Sequence, residues 1–268
     1  LLLAAEAWRE ATGRPVAAAH VDHRLRAESA ADAAFCRDLC ARLAIPLHER
    51  AEDPRPAARR RGRGLEEAAR CARWAFLEAV LAAEADLACA ATGHHRDDQA
   101  ETVLMRVLRG TGLDGLRGIA PRQGRVIHPL LAETRASLLA FLADRGQPWR
   151  LDRTNAADDG TRNRLRRELL PLARDIFGAG AAAALPRLAE LAGADLDLLA
   201  AVTRDALATC REDGGALSAT RLRALEPALA RRVLRAWLAE TSGLREDLAA
   251  VHVEAVRAWL AGGQSGQQ

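Results

Sequence analysis

Short apolar runs and stretches of helical periodicity take turns through the first half of this chain, and that alternation restricts the fold more than any other feature. Residues 16–20, after Gly13 and Pro15, read as a strand, residues 45–48 as a second short one, and residues 87–91 as a buried strand ending at Thr92 and Gly93. Between them, residues 1–12, 28–43, 65–83 and 97–108 carry apolar side chains at helical spacing. The expected inward face of 65–83 is Ala69, Ala72, Phe76, Ala79, Val80 and Ala83; that of 97–108 is Ala100, Val103, Leu104, Val107 and Leu108. Strand–helix alternation predicts an α/β fold, a doubly wound parallel sheet with helices on both faces. Such sheets bind ligands beyond the carboxyl ends of their strands. From about residue 176 the strands vanish, and helices are expected at 180–212, 218–240 and 246–261. The expected organisation is a catalytic domain at 1–175 and a small all-helical domain at 176–268, divided near Phe177 and Gly178.

The chain has 268 residues, 49% of them apolar, enough for one large domain or two modest ones. Net charge is +3, and every basic residue apart from histidine is arginine. Arginine grips phosphates through a planar fork of donors, but the balance is small and a GC-rich coding sequence accounts for most of the Ala and Arg bias. The five cysteines, Cys36, Cys40, Cys71, Cys89 and Cys210, form no C-x-x-C pair and read as buried free thiols in a reducing compartment. No apolar run approaches the roughly 18 residues of a membrane span, and no signal peptide is evident. A cytoplasmic protein with no membrane partner is expected.

Chemistry concentrates at the predicted strand ends. His94, His95, Asp97, Asp98 and Glu101 follow the strand at 87–91. Asp97 or Asp98 is expected as helix N-cap, which leaves two acids unexplained. Asp97 and Glu101 share a helix face and repel unless a cation lies between them, and oxygen ligands favour magnesium over zinc. His94 or His95 binds a phosphate or caps carbonyls. His20 and Asp22 end the first strand on one face, where Asp22 either meets a ligand or satisfies a turn. Glu66, Arg70 and Arg73 share one helix face, as a surface ion-pair ladder or as phosphate neighbours. Residues 54–64 hold five arginines among prolines and glycines and read as a mobile basic loop, and 109–118 as a glycine-rich hinge or lid. Residues 152–167 lead into a helix start dense in arginine, which opposes the helix dipole and suggests an external anion such as a nucleic-acid phosphate.

The stretches HVDHRLRAESAADAAFC (20–36), LEEAARCARWAFL (65–77), ATGHHRDDQAETVLMRVLRGTGLDGLRGI (91–119), HPLL…TRASLLAFL (128–142) and LDRTNAADDGTRNRLRRELLP (151–171) resemble, in residues and in order, the tRNA(Ile)-lysidine synthetases of the PP-loop ATP pyrophosphatase superfamily. The resemblance covers residues 1–175 strongly and the helical tail more loosely. It implies a ligase that uses ATP and Mg2+ to adenylate the wobble cytidine of a tRNA(Ile) with a CAU anticodon, after which free L-lysine displaces AMP. It further implies roles. His94, Asp97, Asp98 and Arg73 would be catalytic; His20, Asp22, Thr92, Gly93 and Arg70 would bind the nucleotide. Asp97, Asp98 and Glu101 would hold the metal, and Arg109, Asn163, Arg164 and Arg166 the tRNA. A homodimer is a further implication.

One departure matters. The family's S-G-G-x-D-S nucleotide loop is expected just ahead of residue 1 and a further domain beyond residue 268, so the chain reads as a fragment that binds ATP weakly and makes no lysidine alone. The alternatives are another PP-loop tRNA-modifying enzyme such as a tRNA cytidine thiolase, a non-catalytic tRNA-binding module, or a metal-dependent phosphohydrolase.

Overall fold

Alternating periodicity produces alternating elements over the first 91 residues. The structure is a computed structural model that describes residues 1–25, 28–62, 64–150, 160–178, 180–242 and 253–256. Helix α1 (Leu2–Thr12) closes on Gly13 in the left-handed region. Strand β1 (Ala18–Asp22) lies parallel to β2 (Leu47–Ala51), with α2 (Ser29–Arg42) as the crossover, and His20 sits opposite Glu49. Residues 54–64 are not the loop that their composition suggests. Pro54 caps and Pro56 opens a helix, α3 (Arg55–Arg61), because proline fixes a helical φ and its missing N–H costs nothing in a first turn. Helix α4 (Leu65–Ala83) follows and buries Ala68, Phe76 and Leu81.

Strand β3 (Ala90–Ala91) pairs parallel with β5 (Val126–Ile127), and β5 pairs antiparallel with β4 (Arg122–Gln123) around Gly124. The parallel α/β architecture holds. Among the described residues it takes the form of two short sheets, one carrying an antiparallel hairpin. Helix α5 (Arg96–Leu108) runs from the end of β3, and α6 (Leu113–Leu116) and α7 (Arg135–Asp144) follow. Ala100 and Val103 of α5 are buried as expected, but Val107 and Leu108 are exposed.

A helical segment begins with α8 (Thr161–Arg164), widens into a π turn at Leu165–Leu169 and continues as α9 (Leu170–Phe177). Pro171, early in α9, has no N–H for the carbonyl four residues back and crowds it; the wider ladder relieves both problems. Three further helices follow, α10 (Ala181–Cys210), α11 (Ala219–Arg223) and α12 (Pro227–Ser242). The single helix expected at 218–240 is thus two, with Pro227 opening the second. The helix expected at 246–261 lies outside the described residues apart from 253–256.

The chain forms two compact units, Leu1–Thr111 with Gly118–Arg187, and Gly112–Arg117 with Leu188–Gln268. The second is built on Leu207, Cys210, Leu222, Ala230, Val233, Leu234 and Val253. Asp114 pairs there with Arg232 and Arg235, and Arg117 with Asp197. All five cysteines are free, but only Cys40 and Cys210 are buried.

Gly118 is a tightly enclosed backbone position in the first unit. Its φ is +61°, and a Cβ there would press on Gln99 Oε1 and come within 2.9 Å of Val103 Cγ2. Gly124 has a similar φ of +60° with open space around it. Gly118→Ala should therefore cost about 3 kcal/mol, strain plus collision, and Gly124→Ala about 1 kcal/mol, strain alone. Urea unfolding of both variants checks the difference; equal losses would refute it.

Candidate active site

The end of β3 sets the site. Thr92 N donates to Ile127 O at 3.0 Å, which holds the strand end in place. The chain then turns through Gly93 into two histidines whose side chains diverge. His94 Nδ1 lies 2.8 Å from Thr92 Oγ1, and its ring packs against that of His128 with centroids 5.1 Å apart. His128 is buried, and its Nδ1 lies 2.8 Å from Ala120 O. A carbonyl only accepts, so the proton of His128 is on Nδ1.

His95, not Asp97 or Asp98, is the N-cap of α5. The Asp98 backbone N–H donates to His95 Nδ1 at 3.4 Å, and the His95 backbone N–H donates to Asp98 Oδ2 at 3.0 Å. This is a capping box with histidine in the place usual for serine or threonine. Asp97 turns to α7 instead: its Oδ2 accepts from the Arg135 backbone N–H at 2.9 Å.

Glu101 lies one turn further on and is only 1% exposed. A carboxylate so buried must be paired. Arg162 Nε donates to its Oε2 at 2.7 Å, Arg166 Nε to its Oε1 at 2.6 Å, and a second Arg166 nitrogen to Oε2 at 3.1 Å. Arg162 also reaches Asp98 Oδ1 at 2.9 Å. Hydrogen bonding to Glu101, above all, pushes Arg166 further above its ordinary pKa. Arg162 and Arg166, near the start of this segment, thus find anions inside the chain, on Glu101 and Asp98.

This arrangement answers the magnesium expectation. As they stand, Asp97, Asp98 and Glu101 do not fit a shared divalent cation, because both Glu101 oxygens and both Asp98 oxygens accept from donors of the chain itself. Among the described residues no group of three or more His, Cys, Asp or Glu is placed to hold a metal ion. Asp97, with its side chain 37% exposed, is the acid most open to solvent.

The other expected residues divide. Arg73 is close enough to depress the pKa of His94, and Arg70 that of Arg106, so α4 turns positive charge toward α5. Desolvation first, then Arg70, lowers Arg73 itself. Asp22 is spent on the turn after β1: its Oδ1 accepts from the Arg24 backbone N–H at 2.8 Å, which holds Arg24 at a φ of +51° and keeps the Asp22 carboxyl below the usual range. His20 Nδ1 lies 3.7 Å from Cys36 Sγ, and among the described residues its buried Nε2 has no hydrogen-bond partner. Arg109 is the exposed C-cap of α5. Arg164 is exposed and paired with Glu168, on the opposite side of the helical segment from Arg166. Arg166, expected on the tRNA, is instead bound to Glu101. Sequence reading counts Arg162 only among the arginines awaiting an external anion, and misses His128 and Gln99. Arg162 shares a face with Arg166 four residues on, which is a usable signal; the other two show their roles only through partners distant in sequence.

His94 has its pKa lowered from 6.5 to about 4 by desolvation, helped by His128, Arg162 and Arg73 against the pull of Asp98. It is neutral at pH 7 and does not serve there as a cationic acid. Between pH 6.5 and about 4 the unfolded chain binds a proton that the folded chain refuses, so stability falls as pH drops through that window and is untouched above it. The His94 ring signal in an NMR titration should show a midpoint near 4. His94→Asn should remove about 2 kcal/mol of the acid-induced loss across that window. A midpoint above 6 would overturn the assignment.

The chain matches the PP-loop domain over residues 1–173 and the TilS substrate binding domain over residues 217–268. Similar proteins include the tRNA(Ile)-lysidine synthase of Symbiobacterium thermophilum, 44% identical over 84% of this chain and 49% of the relative. That of Xanthomonas campestris pv. campestris is 41% identical over 89% and 53%, and that of Chlorobaculum tepidum 40% identical over 65% and 53%. The chain spans about half the length of the curated relatives it matches. With the strand-end histidine, the capped acidic helix and the PP-loop match all in one unit, the chain belongs to the PP-loop family, and within it is similar to the tRNA(Ile)-lysidine synthases.

Proposed function

We propose that this chain carries the nucleotide- and tRNA-handling part of a tRNA(Ile)-lysidine synthase. The observation that supports it most is the neutral His94 at the end of β3, flanked by Arg73 and Arg162, inside a unit that matches the PP-loop domain. In the reaction, the 2-oxygen of the wobble cytidine attacks the α-phosphorus of ATP and diphosphate leaves. The amine of free lysine then adds at carbon 2 and AMP departs with the oxygen. Adenylation makes a poor leaving group into a good one, so a neutral amine suffices as nucleophile.

The residues divide the work. Arg73, partly desolvated, and the exposed Arg70 face developing phosphate charge, where fixed cations act strongly. His94, uncharged, offers the nucleotide a hydrogen bond without competing for its charge. Thr92 and Gly93 bring the backbone close to it. Asp97 is the acid available to an outside cation, either the magnesium that accompanies ATP or the ammonium of lysine. Exposed Arg109 and Arg164, with Asn163, face the phosphates of a tRNA bearing a CAU anticodon. Residues 1–175 form the catalytic domain and 176–268 the substrate-binding one. No described helix is long and apolar enough to cross a membrane, which accords with a cytoplasmic site of action.

The test is ATP-dependent transfer of labelled lysine to a tRNA(Ile) transcript. Asp97→Asn should lower transfer at least about tenfold, since one lost charge contact at a reacting centre is worth 1–3 kcal/mol. Arg164→Gln should raise the KM for tRNA a few-fold and leave that for ATP unchanged. Sulfur incorporation in place of lysine would indicate a thiolase, and tRNA binding without ATP turnover a binding module; either result would refute the proposal.

A further inference from the structure

Acids spaced as they are on α5 lead one to expect a divalent cation among them, and the geometry points elsewhere. We infer that Arg162 and Arg166 are the resident counter-charges of this acid cluster, and that Glu101 is a positioning residue that fixes the 161–177 helical segment through them. This holds whatever the substrate of the site.

Three observations carry it. Glu101 is almost wholly buried, and its two oxygens accept three guanidinium hydrogen bonds between 2.6 and 3.1 Å. A magnesium ion would need those oxygens at about 2.1 Å and would bring waters with it. Arg162 and Arg166 stand four residues apart on one helix face, so one carboxylate meets two forks from a single segment. Arg162 also bridges to Asp98, and Asp98 is tied to the His95 cap, so the segment is bonded to the first turn of α5, next to His94. A rigid arrangement with every carboxylate oxygen engaged holds its cationic groups in place with little reorganisation. Arg162 is thereby kept beside His94, where a lysine, with one donor head on a flexible stem, would not be held.

The test reads the guanidinium groups directly. The chain is labelled with 15N-arginine, and the Nε–H signals of Arg162 and Arg166 are assigned by Arg162→Lys and Arg166→Lys. Both signals should be resolved and slow to exchange with water, and both should stay in place as millimolar Mg2+ is added. Glu101→Gln should abolish their protection, and Glu101→Asp should restore it in part. If Mg2+ shifts or broadens both signals, or if they are unchanged in Glu101→Gln, the inference fails. Should Glu101→Gln not fold, the Mg2+ titration of the unsubstituted chain decides by itself.

Discussion

A single buried carboxylate governs the first unit. Removing the charge of Glu101 from water costs several kcal/mol, and attraction to a partner recovers that only where hydrogen bonds satisfy the oxygens. Those bonds come from Arg162 and Arg166, more than sixty residues later in the chain. Helix α5 therefore cannot bury its second turn until the 161–177 segment has docked, and that segment cannot crowd arginines into its first turns without anions to receive them. Each half removes the other's penalty. The result is a contact that links sequence-distant elements more strictly than apolar packing would, because an apolar face tolerates sliding and a bidentate fork does not.

The consequence reaches the chemistry through geometry. The cap at His95, the Asp98 oxygen it engages and the Arg162 fork form one bonded chain leading to the strand end where His94 sits. His94 is kept neutral by burial first of all, with His128, Arg162 and Arg73 adding to it. A neutral imidazole among fixed cations suits a site that receives a polyanion. A charged one would add affinity for the ground state without adding anything specific to the transition state.

Much of this is legible in the residues. Periodicity locates α4 to the residue, and apolar runs locate β1, β2 and β3 within a few positions. The cluster from His94 to Glu101 stands out as an excess of ionisable groups. What periodicity does not reveal is partnership. Nothing near Glu101 in sequence says that its counter-ion is arginine rather than metal, since either would satisfy two acids on one face. The hairpin of β4 and β5 has two residues per strand, too few to alternate. The helix at Arg55–Arg61 is hidden because proline and glycine signal loops in the interior of a segment but helix caps at its ends, and here they occupy the ends.

The remaining surprise in α5 has the same origin. Its apolar pattern extends to Val107 and Leu108, yet these are exposed while Gln99 and Glu101 are buried. Gln99 behaves as a piece of backbone: its side-chain amide donates to Ile119 O at 3.1 Å and accepts from Ile119 N at 2.6 Å, as one strand residue does with its neighbour. Arg106 donates to Gly118 O at 2.7 Å. The helix is buried where polar side chains find fixed partners, on the loop at 118–119 along one side and on Arg162 and Arg166 along another. It emerges once those partners end at Arg106. Specific polar bonds, more than the spacing of apolar side chains, thus decide which turns of this helix lie inside, and they do so at the end nearest His94, where a displacement of a fraction of an ångström matters most.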